Sequence, residues 1–189
     1  MNKLYFLCCI LFSLCFSSEC FQIWHSNFSK DKSNESIYKV SATINSSSLD
    51  SMPISLIFDE KRRAKIEYGN QVLLFLEDKS MKLFKDTNQL YIDNPDSIIF
   101  KIISSIFYNV VEKEKFLKLS NTKYSYNLNN SNIQSIIIEY DSSCKSINKI
   151  EVSEIQESVY VEDISIDHII NNNDIFNING DYFIYDLRR

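Results

Sequence analysis

The sequence predicts a mainly antiparallel β fold (α+β), a curled sheet that carries one strongly apolar helix. Two observations set the class. Most of the mature sequence, residues 21–189, alternates apolar and polar residues with period two, interrupted at short intervals by Asn, Asp and Ser clusters. One stretch, 95–111, breaks that rhythm and spaces its apolar residues as a helix does. With 189 residues and no proline-rich linker, long charge run or internal repeat, the chain reads as one domain with a real core.

Residues 1–20 read as a secretory leader. Lys3 supplies the positive start, the apolar segment runs from Leu4 to Phe16, and small residues follow at Ser17 and Ser18. That segment falls short of the ~20 residues a membrane-spanning helix needs. Cleavage fits after Ser18 or after Cys20. The second boundary is preferred, with residues 21–189 as the mature domain. Glu19 before Cys20 and Leu14 before Cys15 are poor neighbours for lipoprotein-type processing, so an exported, soluble chain is expected.

The strands follow in order. Met52, Ile54, Leu56 and Phe58 share one face. Arg62, Ala64, Ile66 and Tyr68 share another, and Gly69-Asn70 makes a two-residue hairpin turn. Residues 72–76 are apolar at every position, which predicts cover on both faces. Short strands are expected at 81–84 and 89–92. In the 95–111 helix Asn94 can cap, Pro95 suits the first helical position and Asp96 favours the positive end of the dipole. Its apolar arc, from Ile98 through Ile102, Ile103, Ile106 and Phe107 to Val111, spans about 220°, twice the stripe of an ordinary surface helix. Alternation resumes at Tyr124–Leu128, Ile136–Tyr140, Ile150–Val152 and Val159–Ile166. Asn179-Gly180 predicts a closing hairpin between 174–178 and 182–185. A curled sheet of about ten strands would present a concave apolar face to the helix. Periodicity alone leaves open whether a cavity lies between them or the helix completes the core.

Catalytic signals are weak. Asp167 and His168 are adjacent in a strand and point to opposite faces, and His25 falls in the first, mobile residues of the mature chain. Four of the five cysteines lie in or at the end of the leader, which leaves Cys144 alone in the loop DSSCKS and predicts no internal disulfide. Export without disulfides fits a bacterial periplasm. Cys144 beside Lys145 has no histidine at a suggestive spacing. Metal-ligand spacings and a glycine-rich phosphate loop are absent, the chain having two isolated glycines. The carboxylates Glu151, Glu154, Glu157, Glu162 and Asp163 read as solvated faces and turns. The four N-x-S sequons (Asn27, Asn34, Asn45, Asn129) are what so much Asn and Ser produces by chance. A net charge of −5 argues against a nucleic-acid partner. The one basic cluster, Lys61-Arg62-Arg63, reads either as a solvated strand start or as a contact for an acidic partner or a lipid headgroup.

Three stretches in this order resemble a known family. ISLIFDEKRRAKIEYGNQVLLFLED is similar to a segment in which a basic-proline pair and an aromatic strand precede a hairpin. LFKDTNQLYIDNPDSIIFKII is similar to a strand, a glutamine before an aliphatic residue (Gln89-Leu90) and a proline-started helix. INKIEVSEIQESVYVEDISIDHIINNNDIF is similar to closing strands with an Asn-rich turn and a hydrophobic-Phe pair (Ile175-Phe176). Together, over residues 54–185, they resemble the LolA-type periplasmic carriers of outer-membrane lipoproteins.

The resemblance implies an unclosed, strongly curved antiparallel β-barrel whose apolar concave face is covered by helix. It implies a non-enzymatic periplasmic carrier without cofactor or metal, and a monomer is expected. Such a carrier takes acylated lipoproteins from an inner-membrane ABC-type releasing complex and delivers them to an outer-membrane receptor. On this reading Ile98, Ile102, Ile106 and Phe107 form the lid and face Leu56, Phe58, Ile66, Leu74 and Leu76 across the acyl cavity, while Arg62 and Arg63 contact a partner. The sequence departs from the family where Glu60-Lys61 replaces the Arg-Pro pair that holds the lid, and where Glu77-Asp78-Lys79 replaces an Asp-Gly turn. The family's first helix is hard to see in FQIWHSNFSKDKSNESIYKV. Other readings are a lipid- or lipoprotein-sensing module without transport, a β-rich interaction protein whose helix is ordinary core, and, least supported, an exported hydrolase.

Overall fold

The computed structural model describes residues 20–29, 36–48, 50–95, 103, 116–126, 133–154, 158–169 and 173–188. They form one twelve-stranded, almost wholly antiparallel sheet that does not close, with a helix packed on one face. The helix, α1, is Cys20–Ser29. The strands are β1 Ile37–Ser46, β2 Met52–Asp59, β3 Ala64–Tyr68, β4 Gln71–Phe75, β5 Ser80–Phe84, β6 Gln89–Asp93, β7 Phe116–Lys118, β8 Lys123–Tyr126, β9 Ile133–Tyr140, β10 Ile147–Glu154, β11 Ser158–Ile169 and β12 Phe183–Asp186. Their spatial order is β12-β6-β5-β4-β3-β2-β1-β11-β10-β9-β8-β7. Every neighbour in that order is antiparallel except β12, which joins β6 in parallel.

The alternation read from the sequence fixes most of this ladder. Leu56 pairs with Val40 and Ile66, and Phe58 with Tyr38 and Ala64, so one apolar row crosses three strands on the face that carries α1. Gly69 turns the β3–β4 hairpin at φ 49°, a conformation in which a side chain is strained. The Tyr68 hydroxyl donates to Gln71 Oε1 across that turn at 2.8 Å. In the middle of the sheet Ser41 pairs with Ser165 but Thr43 with Glu162, so Asp163 and Ile164 oppose Ala42 alone. Asp163 sits at φ 53°, and this bulge raises the local twist.

Four expectations are corrected. β1, the strand that joins the two halves of the sheet, is absent from the strands predicted above, although Tyr38, Val40 and Ala42 carry the same period and are buried. The amino-terminal segment forms a regular helix, α1, that buries Phe21 and Trp24, so His25 lies within a helix and not in a mobile tail. α1 has no acidic residue in its first turn and no basic one in its last, so packing rather than dipole chemistry holds it. The Asn179-Gly180 hairpin does not form. Asn173–Phe176 is a 3₁₀ turn, and β12 runs on to pair with β6. Finally, Cys144 is not alone, because it is disulfide-bonded to Cys20 with the Cα atoms 4.9 Å apart.

The 95–111 helix lies outside the described residues except for Pro95 and Ile103. Ile103 is helical and buried in the same cluster as Trp24 and Phe58.

Candidate binding site

The two ends of the sheet bury opposite faces. On the face that carries α1, Trp24 stacks on Phe28 (5.1 Å between centroids), Phe28 meets Tyr38 at a tilt (4.6 Å) and Tyr38 stacks on Phe58 (5.5 Å). Tyr140 and Tyr124 extend this aromatic row, and Ile136, Ile138 and Ile150 fill around it. Each ring beneath the helix removes a large apolar area from water. The helix is tied down at its start. The Cys20 N–H donates to the Tyr124 hydroxyl at 3.0 Å, and the Cys20 sulfur joins Cys144 in the β9–β10 loop. That loop is organised by Asp141, whose carboxylate accepts the N–H groups of Lys145 (2.7 Å), Ser146 (3.0 Å) and Ser143 (3.3 Å), and the Ser143 hydroxyl. These bonds, led by the Ser143 hydroxyl and the Ser146 N–H, hold the Asp141 pKa down at about 2.

At the β4–β6 end the other face is buried. Leu74 packs with Ile37 and Phe176, and Val72 with Leu83 and Leu90, beneath the 3₁₀ turn and residues 177–182. Arg63 locks this cover. Its Nε and Nη2 both reach Asp59 Oδ2 at 2.7 Å, its backbone N–H donates to Asp59 Oδ1, and its guanidinium lies 4.4 Å from the Phe176 ring centroid. The Asp59 side chain is only 6% exposed, and a buried carboxylate needs such a partner.

What remains on the helix-bearing side of β4–β6 is a pocket of about 480 Å³. Leu73 and Phe75 of β4, Phe84 of β5 and Tyr91 of β6 give it an apolar floor, and Leu187 closes it beyond β12. Lys82, Ser80 and Asp93 stand among them. The register explains the mixture. Lys82 pairs with Leu73 on one side and Tyr91 on the other, and Ser80 pairs with Phe75 and Asp93. The Lys82 ammonium lies 4.7 Å from the Phe84 ring centroid, so its charge rests on an aromatic face. Tyr91 meets Phe84 edge-on at 5.8 Å and stacks on Tyr185 at 4.9 Å. The size falls within the range of small-ligand pockets, and an apolar floor with a few polar groups is their usual make-up.

The expected site residues divide accordingly. Leu56, Phe58 and Ile66 lie on the helix-bearing face. Phe58 is packed solid under α1, and Ile66 pairs with Leu73 at the pocket's side. Leu74 and Leu76 belong to the cluster on the opposite face, so they do not look toward Leu56 and Phe58. The uninterrupted apolar run 72–76 carries no phase from which a face could be read. Ile98, Ile102, Ile106 and Phe107 lie outside the described residues. Arg63 is engaged within the chain, whereas Arg62 is exposed in the β2–β3 turn at φ 56°. Phe75, Phe84, Tyr91 and Leu187 line the pocket without having been expected to. The alternation of the short strands at 82–84 and 89–91 is the available signal for Phe84 and Tyr91, whereas Phe75 lies in the run without phase and Leu187 is brought in only by the parallel pairing of β12. As read from the sequence, His168 and Asp167 point to opposite faces, His168 meeting Tyr38 edge-on at 5.7 Å. Among the described residues no three His, Cys, Asp or Glu side chains gather as metal ligands.

No family model and no curated protein matches the sequence. Among solved structures, an uncharacterized conserved protein from Thermus thermophilus superposes with a TM-score of 0.53 and 11% identity, over 89% of this chain and 98% of that one. A LolA superfamily protein from Nitrosomonas europaea gives a TM-score of 0.40 and 8% identity over 86% and 99%. LprF from Mycobacterium bovis gives 0.37 and 12% over 77% and 91%. The first likeness shows a shared fold and nothing of activity. The other two include the family that the sequence resembles, but likenesses at these scores carry no argument about function.

Proposed function

We propose that this protein is an exported, non-enzymatic binding protein that shelters an apolar chain in the pocket over β4–β6. The observation that carries this reading is the pocket itself, an unfilled apolar floor on the sheet face whose other half is packed solid by α1. Burying a hydrocarbon chain there yields about 0.8 kcal/mol per CH₂, so even part of a chain is held. Lys82 at the rim suits an anionic or carbonyl-bearing head beside the apolar body.

The sequence resemblance supplies the finer reading, a periplasmic carrier of acylated lipoproteins between an inner-membrane releasing complex and an outer-membrane receptor. A specific observation favours the alternative, a lipid- or lipoprotein-sensing module. Arg63, one of the two arginines that follow the altered Glu60-Lys61 position, is held by Asp59 and Phe176. The bond between Cys20 and Cys144 supports a leader that ends before Cys20, after Ser18 or Glu19, and an oxidising compartment.

The test mixes the oxidised, processed protein with an acylated lipoprotein and with its unacylated form on a sizing column. Acyl-dependent co-elution as a soluble complex is the expected result. Failure with both forms, from a folded protein, would sink the binding reading. Onward transfer of the cargo to acceptor vesicles separates carrier from sensor.

A further inference from the structure

Two charges stand in the pocket over β4–β6 that an apolar floor does not require, Lys82 and Asp93. Lys82 pairs with Tyr91, and Asp93 lies two residues further along β6, opposite Ser80. The two side chains therefore rise from one face of the sheet, diagonal to each other and ~7–8 Å apart at the backbone. They do not form an ion pair. The Lys82 ammonium leans the other way, onto the Phe84 ring, and among the described residues the Asp93 carboxylate accepts the Asn94 N–H alone, at Oδ1 and 2.7 Å. The neighbouring charges are already matched, since Arg188 Nε and Nη2 reach the two Asp186 carboxylate oxygens at 2.9 and 2.6 Å.

The two charges also differ in depth. Lys82 is half-buried between Leu73 and Tyr91, whereas Asp93 is exposed at the end of β6. A cation thus stands within the floor and an anion at its rim. A plain hydrocarbon filling the pocket would strip water from Lys82 and give its charge no partner. A simple carboxylate head would pair with Lys82 but face Asp93. One kind of head satisfies both, an anion next to the chain with an ammonium beyond it. The volume limits the chain. A methylene is about the size of a water molecule, whose share of the liquid is ~30 Å³, so 480 Å³ holds roughly one sixteen-carbon chain and not two.

We propose that the pocket takes a single-chain zwitterionic lipid of the lysophospholipid kind, with its phosphate on Lys82 and its ammonium on Asp93. This rests on the binding reading above and narrows it to one chain and one order of charges.

The test is displacement of an apolar dye from the oxidised, processed protein by two dodecyl amphiphiles, each kept below its micelle concentration. Dodecylphosphocholine carries phosphate next to the chain and ammonium outside. A dodecyl sulfobetaine is equally neutral but carries ammonium next to the chain and sulfonate outside. The first is expected to bind roughly tenfold more tightly, because two half-exposed attractions replace two repulsions. Lys82→Met, which keeps an apolar stem on the floor, and Asp93→Asn are each expected to bring that ratio toward one with unchanged circular dichroism. Equal affinities in the wild-type protein overturn the proposal, and so does a preference that survives Lys82→Met. A short-chain diacyl phosphocholine that displaces the dye as well as dodecylphosphocholine overturns the single chain. In each of those cases the displaced dye leaves the pocket reading intact. A folded protein that takes up neither the dye nor an acylated lipoprotein refutes both.

Discussion

The two ends of this sheet solve the same problem differently. From β1 to β10 the buried face is the one beneath α1, filled by stacked aromatic rings and fastened by a disulfide. From β4 to β6 the buried face is the other one, covered by the 3₁₀ turn and pinned by the Asp59–Arg63 pair. The core changes sides around β2 and β3, where Phe58 looks one way and Ile57 the other. A sheet that moves its core from one face to the other leaves a half-covered surface beyond the crossover, and the pocket occupies that surface.

Mutations on the two sides should therefore separate stability from binding. Phe58→Ala, under the aromatic row at 1% exposure, is expected to have the largest effect, about 3–5 kcal/mol by urea unfolding monitored through Trp24. Cys144→Ser opens a link between residues 124 apart and is expected to lower stability by about 2–5 kcal/mol. If it unfolded with wild-type stability, α1 would be held by packing alone and the contrast between the two ends would shrink to ring stacking. Phe84→Ala, on the pocket floor, is expected to cost about 1 kcal/mol or less while weakening the binding of an apolar dye. A solidly packed region would show the opposite balance. The smallest effect concerns the β9–β10 loop. Asp141 has a depressed pKa, so its support is complete above the unfolded value near ~3.9 and is lost as pH falls through about 2. The protection factors of the Ser143, Lys145 and Ser146 amides, each rate taken relative to its intrinsic value at that pH, should fall over that window and stay level between pH ~5 and ~7. Asp141→Asn should remove the dependence.

The alternation makes most of the ladder legible, because one buried face imposes period two on each strand. Val72–Leu76 has no period, so its facing is readable only from Leu74 meeting Phe176, a contact between residues far apart in sequence. Likewise α1 has ten residues and no charge at either end suited to the dipole, and its amphipathic signal merges with the apolar leader before it. The same merging draws Cys20 into the leader and hides the disulfide. Asn179-Gly180 carries a good turn signal, yet the Tyr182 hydroxyl donates to Asn179 O and Phe176 is buried in the opposite face, and these fix a bend without a hairpin. The candidate site depends most on what sequence order conceals, since its walls come from β4, β5, β6 and a segment that returns only after residue 182.

The bond between Cys20 and Cys144 also has a consequence in time. A chain made from its amino terminus exposes Cys20 early and its partner only after 124 further residues. β1 to β6 can therefore pair while the segment destined to cover the aromatic row is still untethered. The first described element of the sequence is fastened only after most of the sheet has been made, and an oxidant that reacted before β9 and β10 had met would find Cys20 without its proper partner.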